Sequence, residues 1–440
     1  MLPVSTPPAP LSPVNPLPSL LDYLDASPTP WHAVAAAEER LTAAGFQRLE
    51  ETARWQLAAG GRYYVTRGES SLIAFVVGHG PLAEAGFRIV GAHTDSPGLR
   101  LKPKPGLDGD GLWRLAVEVY GGPILATFAD RDLGLAGRVV VRTADGPTSR
   151  LVRFDAPLLR LPNLAIHMNR EVNEQGLKLN RQTELPLVLG LATEGQDAEA
   201  RLKALLAEAA QVEAKDILSW DLAVFDVQKA TQWGAANEFI ASGRIDNLAS
   251  CHAALQALES TVSPAATCVA ALFDHEEVGS GSPTGAGGSF AADVLNRLCL
   301  QAGLDGEDRH RALAASFFVS ADAAHAYQPS FPNAYEPGHK VMVNGGSVIK
   351  THASQRYTTH AGTAARFMTL CEQAGVPCQQ YAHRADLACG STIGPILAAQ
   401  LGIPGVDVGA AMWAMHSARE SAGAQDQAYM VAALGAVFAS

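Results

Sequence analysis

The sequence predicts an α/β fold: a mixed or parallel central sheet flanked by helices, with a mainly β domain inserted into it. Three observations lead there. Runs such as "SLIAFVVG" and "FRIVGAH" are apolar almost throughout, as expected of strands covered on both faces. From Glu238 onward such strands alternate with helical patterns ("LASCHAALQALES", "TCVAALFDHEE", "ASFFVSADAAH", "GVDVGAAMWAMHS"), and strand–helix alternation builds a sheet with helices on both sides. Between Leu99 and Trp233 the texture differs: "WRLAVEVYGG", "AGRVVVRT" and "SRLVRF" are short, β-branched and separated by Gly, Pro and Asp turns, with one clear helix, "DAEARLKALLAEAAQVEA". The expected division is a proline-rich arm over 1–15, a main domain from 16–98 and 233–440, and an inserted β-rich domain over 99–232.

Taken in order, "MLPVSTPPAPLSPVNPLP" has no basic start and no continuous apolar run, so it reads as an extended arm rather than a secretory leader. A short helix follows, then a proline-marked turn and a helix from Pro30 to about Ala44, with Val34, Leu41 and the alanines on its buried side and Gly45 placed to stop it. The strands "RYYVTR", "SLIAFVVG" and "FRIVGAH" come next. No apolar stretch approaches the roughly 20 residues needed to span a bilayer. A net charge of −11 argues against nucleic acid or an anionic membrane as partner. The six cysteines form no C-x-x-C pair and read as reduced thiols, which points to a cytoplasmic protein.

Chemistry gathers at the expected strand ends. "FRIVGAHTDSP" ends in His93 and Asp95, "TCVAALFDHEE" in Glu276 and Glu277, and "ASFFVSADAAH" in Asp322 and His325. Sites of open α/β sheets lie outside the carboxyl ends of strands, so these tips can converge, joined by Asp246 of "SGRIDNLAS" and His416 of "AMWAMHSARE". Alone, each histidine reads as structural and Asp246 as a helix cap; together they read as a ligand set. Imidazoles and carboxylates without thiolate suit Zn²⁺, with Mn²⁺ or Co²⁺ as substitutes. Two histidines and three carboxylates exceed the needs of one catalytic zinc and fit two ions bridged by one carboxylate, with a bridging hydroxide as nucleophile. Asp95 can accept the outer ring N–H of His93. On an extended segment Glu276 and Glu277 point opposite ways, so one should be a ligand and the other a general base; the residues alone do not say which.

The set "AHTDSP", "GRIDNLAS", "DHEEVGSGS", "SADAAHAYQP", "CGSTIGP" and "MHSARE", in this order, resembles the aspartyl aminopeptidases of the M18 peptidase family. The resemblance runs from about Pro16 to the C-terminus. It implies that His93 and Asp322 hold one zinc, Glu277 and His416 the other, and that Asp246 bridges them. It further implies Glu276 as general base, Asp95 as support for the metal-binding histidine, and substrate contacts from His325, Lys350 and Tyr357. His167 of "NLAIHMNR" would reach the substrate of a neighbouring subunit, the inserted domain acting in dimerisation and the dimers grouping into tetrahedral dodecamers. The implied substrates are peptides with an N-terminal Asp or Glu, with Lys350 as the cation facing the acidic side chain. Phe128 and Ala129 stand where many members carry Trp and a larger apolar residue. Rival readings are a broad-specificity M42-type aminopeptidase, an amidohydrolase of N-acyl substrates, and a metal-stabilised assembly protein without catalysis.

Overall fold

The computed structural model describes residues 15–440, so all of the expected arm except Asn15 lies outside the described residues. Two helices open the described chain, Leu17–Ala26 and Pro30–Ala43; Pro30 sits in the first turn of the second and Thr29 caps it, accepting from the His32 amide. Gly45 ends that helix with φ +81°, a conformation open to glycine at no steric cost.

The central sheet has nine strands, in the order Gln47–Arg48, Arg62–Arg67, Ser71–Val76, Thr267–Phe273, Phe87–His93, Phe317–Ala321, Gly405–Gly409, Ser347–Thr351, Cys378–Ala382. It is mixed. Its middle, from Thr267–Phe273 to Gly405–Gly409, is parallel, while Ser71–Val76 and Ser347–Thr351 pair antiparallel with their inner neighbours. Side chains of a strand alternate between faces, and this divides each apolar run between two cores. In Thr267–Phe273, Cys268, Ala270 and Leu272 enter one core, and Val269, Ala271 and Phe273 the other. The first core is closed by Leu17–Ala26, Pro30–Ala43, Ile245–Glu259, Ala361–Ala374 and Asp426–Ala439, the second by Phe290–Gln301 and Ile393–Leu401. Both faces are therefore covered, which is why inner strands such as Ser71–Val76, Thr267–Phe273 and Phe317–Ala321 are apolar almost throughout, while the edge strands Gln47–Arg48 and Cys378–Ala382 are not.

A six-stranded sheet is built from residues between Gly98 and Leu191 together with Ile217–Asp226, every pair antiparallel. Helix Ala198–Ala210 lays Leu202 and Leu206 into its core beside Leu115, Val139 and Leu222. Phe128 is 4% exposed in the same core, so the residue at this position packs inward. A third sheet of five short strands includes Thr231–Trp233, Phe239–Ser242, Glu420–Gly423, Ala411–Trp413 and Ala324–His325. Thr231–Trp233 straddles the border expected at 232/233 and pairs with Phe239–Ser242, so the chain has left the six-stranded sheet by that point. Among the described residues, no helix is long and apolar enough to cross a membrane.

Candidate metal centre

Three adjacent parallel strands bring the first residues together. Thr267–Phe273 lies on one side of Phe87–His93, with Phe273 in register with His93; Phe317–Ala321 lies on the other, with Ser320 opposite Gly91. His93 is the last residue of its strand, Glu276 follows the second strand by three positions, and Asp322 follows the third directly. Asp246 arrives from another direction: it opens the segment Ile245–Glu259 with non-helical φ −78° and ψ 108°, ahead of the regular turns. His416 lies in the loop after Ala411–Trp413, at φ +69°, a left-handed conformation uncommon outside glycine.

Asp246 stands between the two histidines. Its Oδ1 is 3.5 Å from His93 Nε2, which is also 3.8 Å from Asp322 Oδ1. Its Oδ2 is 3.4 Å from His416 Nε2, which is also 3.4 Å from Glu277 Oε1. The groups His93–Asp246–Asp322 and Asp246–Glu277–His416 each place one ligand atom per residue within 4.8 Å of the others, and Asp246 is common to both. Both rings carry their proton on the far side: His93 Nδ1 donates to the Asp95 carbonyl at 3.0 Å and His416 Nδ1 to the Gly122 carbonyl at 3.1 Å. Each Nε2 is thereby the nitrogen that would face a cation, giving up its proton to do so.

Two expectations about this region change. The Asp95 carboxylate is the looser of its two contacts with His93, at 3.5 Å from Nδ1, and the main-chain oxygen is the closer one. The carboxylate instead accepts the amides of Glu276 and Glu277, at 3.1 Å each, and the Tyr120 hydroxyl at 2.7 Å. Glu276 and Glu277 are also not on an extended segment. The chain turns at His275 (φ +63°) into a 3₁₀ turn over Glu276–Val278, so alternation does not separate the two side chains, and both come within 4.8 Å of His93. What distinguishes them is that only Glu277 also reaches Asp246 and His416.

Two contributors escaped the reading of the sequence. Glu420, 1% exposed, accepts the His416 amide at 2.7 Å and the Asp246 amide at 3.1 Å, fastening both backbones with one carboxylate. It is the last residue of "MHSARE", four positions after His416, and that spacing was its signal. Tyr120 closes the strand Leu112–Tyr120 of the six-stranded sheet, and only the two glycines after it marked the position.

Of the expected substrate contacts, three lie together beside the cluster. The Lys350 ammonium, buried, is 3.7 Å from Asp322 Oδ2, donates to the Ala323 carbonyl at 3.1 Å and sits 5.1 Å over the Tyr357 ring. Burial, helped by Lys350 and His383, pushes the His325 imidazole down to about 4, so it is neutral near pH 7. Cys389 donates to the Tyr357 hydroxyl at 3.5 Å, a packing role for that thiol. His167 is elsewhere, exposed in the segment between Leu161 and Leu185, whose one helix is the short turn Val172–Gln175.

The electrostatics test whether a cation fits. Burial opposes charge on His93, yet the carboxylates of Asp246, Asp322 and Asp95 hold it well above the ordinary imidazole range. Burial together with neighbouring carboxylates pushes Glu276 up to about 8, and Glu277 well above its usual value. Buried Asp246 Oδ1 has no hydrogen-bond partner, an uncommon and costly state for a carboxylate oxygen. The cluster gathers more carboxylates than its burial tolerates, and the orphaned oxygen stands 3.5 Å from His93 Nε2. Hard or borderline dications on oxygen and imidazole ligands answer both, so the residues fit zinc.

The chain matches the family profile described as Aminopeptidase I zinc metalloprotease (M18) over residues 23–438. The Stutzerimonas stutzeri (strain A1501) protein named Probable M18 family aminopeptidase 2 is 48% identical over 423 residues, covering 96% of this chain and 97% of that one. A chain in the cryo-EM structure of the Ape4 and Nbr1 complex superimposes with a TM-score of 0.92 at 38% identity, covering 96% of this chain and 85% of that chain. The S. cerevisiae mApe1 dodecamer gives a TM-score of 0.83 at 29% identity, covering 96% of each chain. Profile and relatives span nearly the whole chain, and it belongs to the M18 family of zinc metalloproteases, which are aminopeptidases.

Proposed function

We propose that this aminopeptidase uses two zinc ions to remove acidic residues from peptide N-termini. The observation that carries the two-metal reading is Asp246, with one oxygen toward His93 and Asp322 and the other toward His416 and Glu277. His93 and Asp322 would hold one ion, Glu277 and His416 the other, with Asp246 shared. When bound, the ions supply water activation and polarisation of the scissile carbonyl.

Glu276 is the proton carrier. It is excluded from the group containing Asp246 and His416, and its amide is pinned to Asp95 at 3.1 Å, which fixes its place beside His93. With cations held by the cluster, Glu276 would return to its carboxylate form, in which it takes a proton from the attacking water and delivers it to the leaving amine. Asp95 keeps the turn that carries both glutamates in register with His93.

The acidic preference rests on Lys350, with neutral His325 and Tyr357 beside it. A buried ammonium bordering the cluster is matched to a carboxylate side chain on the N-terminal residue, where a charge-assisted bond is strongest. The chain self-associates in this reading, as the S. cerevisiae mApe1 dodecamer does. Exposed His167 is flanked by Leu164, Ile166 and Met168, at 65%, 48% and 76% exposure, an apolar rim suited to a second copy that receives the histidine.

Metal analysis joined to a substrate panel tests the proposal. Two zincs per chain and faster turnover of α-aspartyl and α-glutamyl than of leucyl peptides are expected. Equal turnover of aspartyl and leucyl peptides would remove the acidic preference, and a preference for N-acetyl substrates would make the protein an amidohydrolase.

A further inference from the structure

The six-stranded sheet meets the metal cluster at two neighbouring strand ends: Gly98–Gly109 begins three residues after Asp95, and Leu112–Tyr120, whose Tyr120 pairs with Gly98, ends beside it. Strand Leu112–Tyr120 ends there, Gly121 turns at φ +65°, and a 3₁₀ turn follows over Leu125–Phe128. Within this stretch the Tyr120 hydroxyl donates to Asp95 Oδ2 at 2.7 Å, and the Gly122 carbonyl accepts His416 Nδ1 at 3.1 Å. The Ile124 amide donates to the His416 carbonyl at 2.9 Å, and Thr127 Oγ1 accepts the Ala418 amide at 2.9 Å. The fit is close: a Cβ on Gly121 would come within 3.1 Å of Glu277 Cβ. Tyr120 is itself held by the Arg100 guanidinium, 3.4 Å above its ring. Burial and the Asp95 carboxylate raise the phenol well above its usual range, so it stays a donor.

We infer that the Tyr120–Gly122 corner positions the metal centre from outside: Tyr120 acts on the His93 side through Asp95, and Gly122 acts on the His416 ring directly. The corner makes metal retention depend on how the six-stranded sheet is seated against the central one. The physical reason is tautomer and orientation. A histidine whose far nitrogen is tied to an oxygen presents its near nitrogen to the ion in one pose, and loss of such a partner typically weakens metal binding roughly 10- to 100-fold. On the His93 side the tie is indirect, since Asp95 places both its own carbonyl beside His93 and its carboxylate beneath the two glutamate amides. Neither Tyr120 nor Gly122 touches the reacting atoms; both are positioning residues.

This inference rests on the two-zinc reading, and the experiment separates their failures. The zinc-loaded, full-length protein and its Tyr120→Phe variant are mixed with a chromogenic zinc chelator, and the release of zinc is followed with substrate absent. The variant keeps the ring and its stack with Arg100 and loses only the hydroxyl, so it should fold like the parent, which a thermal melt checks. It should release zinc roughly 10- to 100-fold more readily. Its kcat should fall with KM for an aspartyl peptide nearly unchanged, since the pocket at Lys350 is untouched. A second variant, Gly121→Ala, presses on Glu277 and should loosen zinc as well, whereas Leu151→Ala, on an exposed part of the same sheet, should not. Unchanged zinc release in a folded Tyr120→Phe protein overturns the corner's role and leaves the proposed function standing. A wild-type protein that binds no zinc overturns both.

Discussion

The His93 half of the cluster and the His416 half hold the same kinds of side chain, an imidazole and a carboxylate, in different ways. His93 is 1% exposed, ends a central strand flanked on both sides by parallel partners, and has its carbonyl bonded by the Cys251 thiol. Asp322 directly follows the neighbouring strand. The His416 side chain is 28% exposed and lies in a loop with left-handed residues at Ala414 and His416. Its partner Glu277 sits on a turn entered through left-handed His275. One half is set by sheet geometry, which is stiff because both faces are packed. The other is set by loop conformations held by Glu420 and by the Gly122 carbonyl across a sheet boundary. Loops so held open at lower free energy than central strands.

The largest effect should come from the residue the halves share. In the proposed two-zinc reading Asp246→Ala removes the shared ligand, so both ions should be lost and aminopeptidase activity abolished; two zincs per chain in the purified variant would falsify the bridging role. Next comes Glu276→Gln, which preserves shape and removes the proton acceptor. Metal content should stay at the wild-type level while kcat falls by at least ~10²-fold. Near-wild-type turnover would transfer the base role to another group.

Lys350→Met reads the wall of the His93 half. A charge-assisted contact with the substrate carboxylate is worth about 1.5–3 kcal/mol, or roughly a 10- to 150-fold loss in kcat/KM on an aspartyl peptide. Leucyl substrates do not use the ammonium. Because Lys350 also stands 3.7 Å from Asp322, zinc content must be measured alongside. Matching losses on both substrates with zinc retained would leave the lysine a counter-ion of Asp322 and nothing more. The smallest expected effect is the difference between the halves themselves. Chelation of the wild-type protein should be biphasic, one ion leaving roughly 10-fold faster, a difference of about 1.4 kcal/mol. His416→Ala should remove the fast phase and keep the slow one. A single phase in the wild-type protein would erase the contrast.

Much of this was legible in the residues. Inner strands of the central sheet such as Ser71–Val76 and Phe87–His93 announced themselves as nearly continuous apolar runs, and the motifs at strand ends carried His93, Glu276, Glu277 and Asp322. The edge strands Gln47–Arg48 and Cys378–Ala382 gave no such signal. The helix over Pro30–Ala43 was written in its proline, its alanines and Gly45. The roles of the two adjacent glutamates were not derivable by alternation, because a left-handed His275 followed by a 3₁₀ turn replaces the extended backbone that argument assumes.

The sequence by itself determined the layers and the kinds of residue that gather at the cluster, because burial on two faces and side-chain chemistry are properties of residues read a few at a time. Only the tertiary structure decided which carboxylate stands between the histidines and what holds each ring. Asp246 and Glu420 are separated by 174 positions, and Gly122 and His416 by 294. Tyr120 reaches Asp95 across 25 positions, through the pairing of its strand with Gly98–Gly109, a register that no motif in either segment shows. Contacts made between sheets depend on how the layers dock, and docking is a property of whole surfaces rather than of any motif.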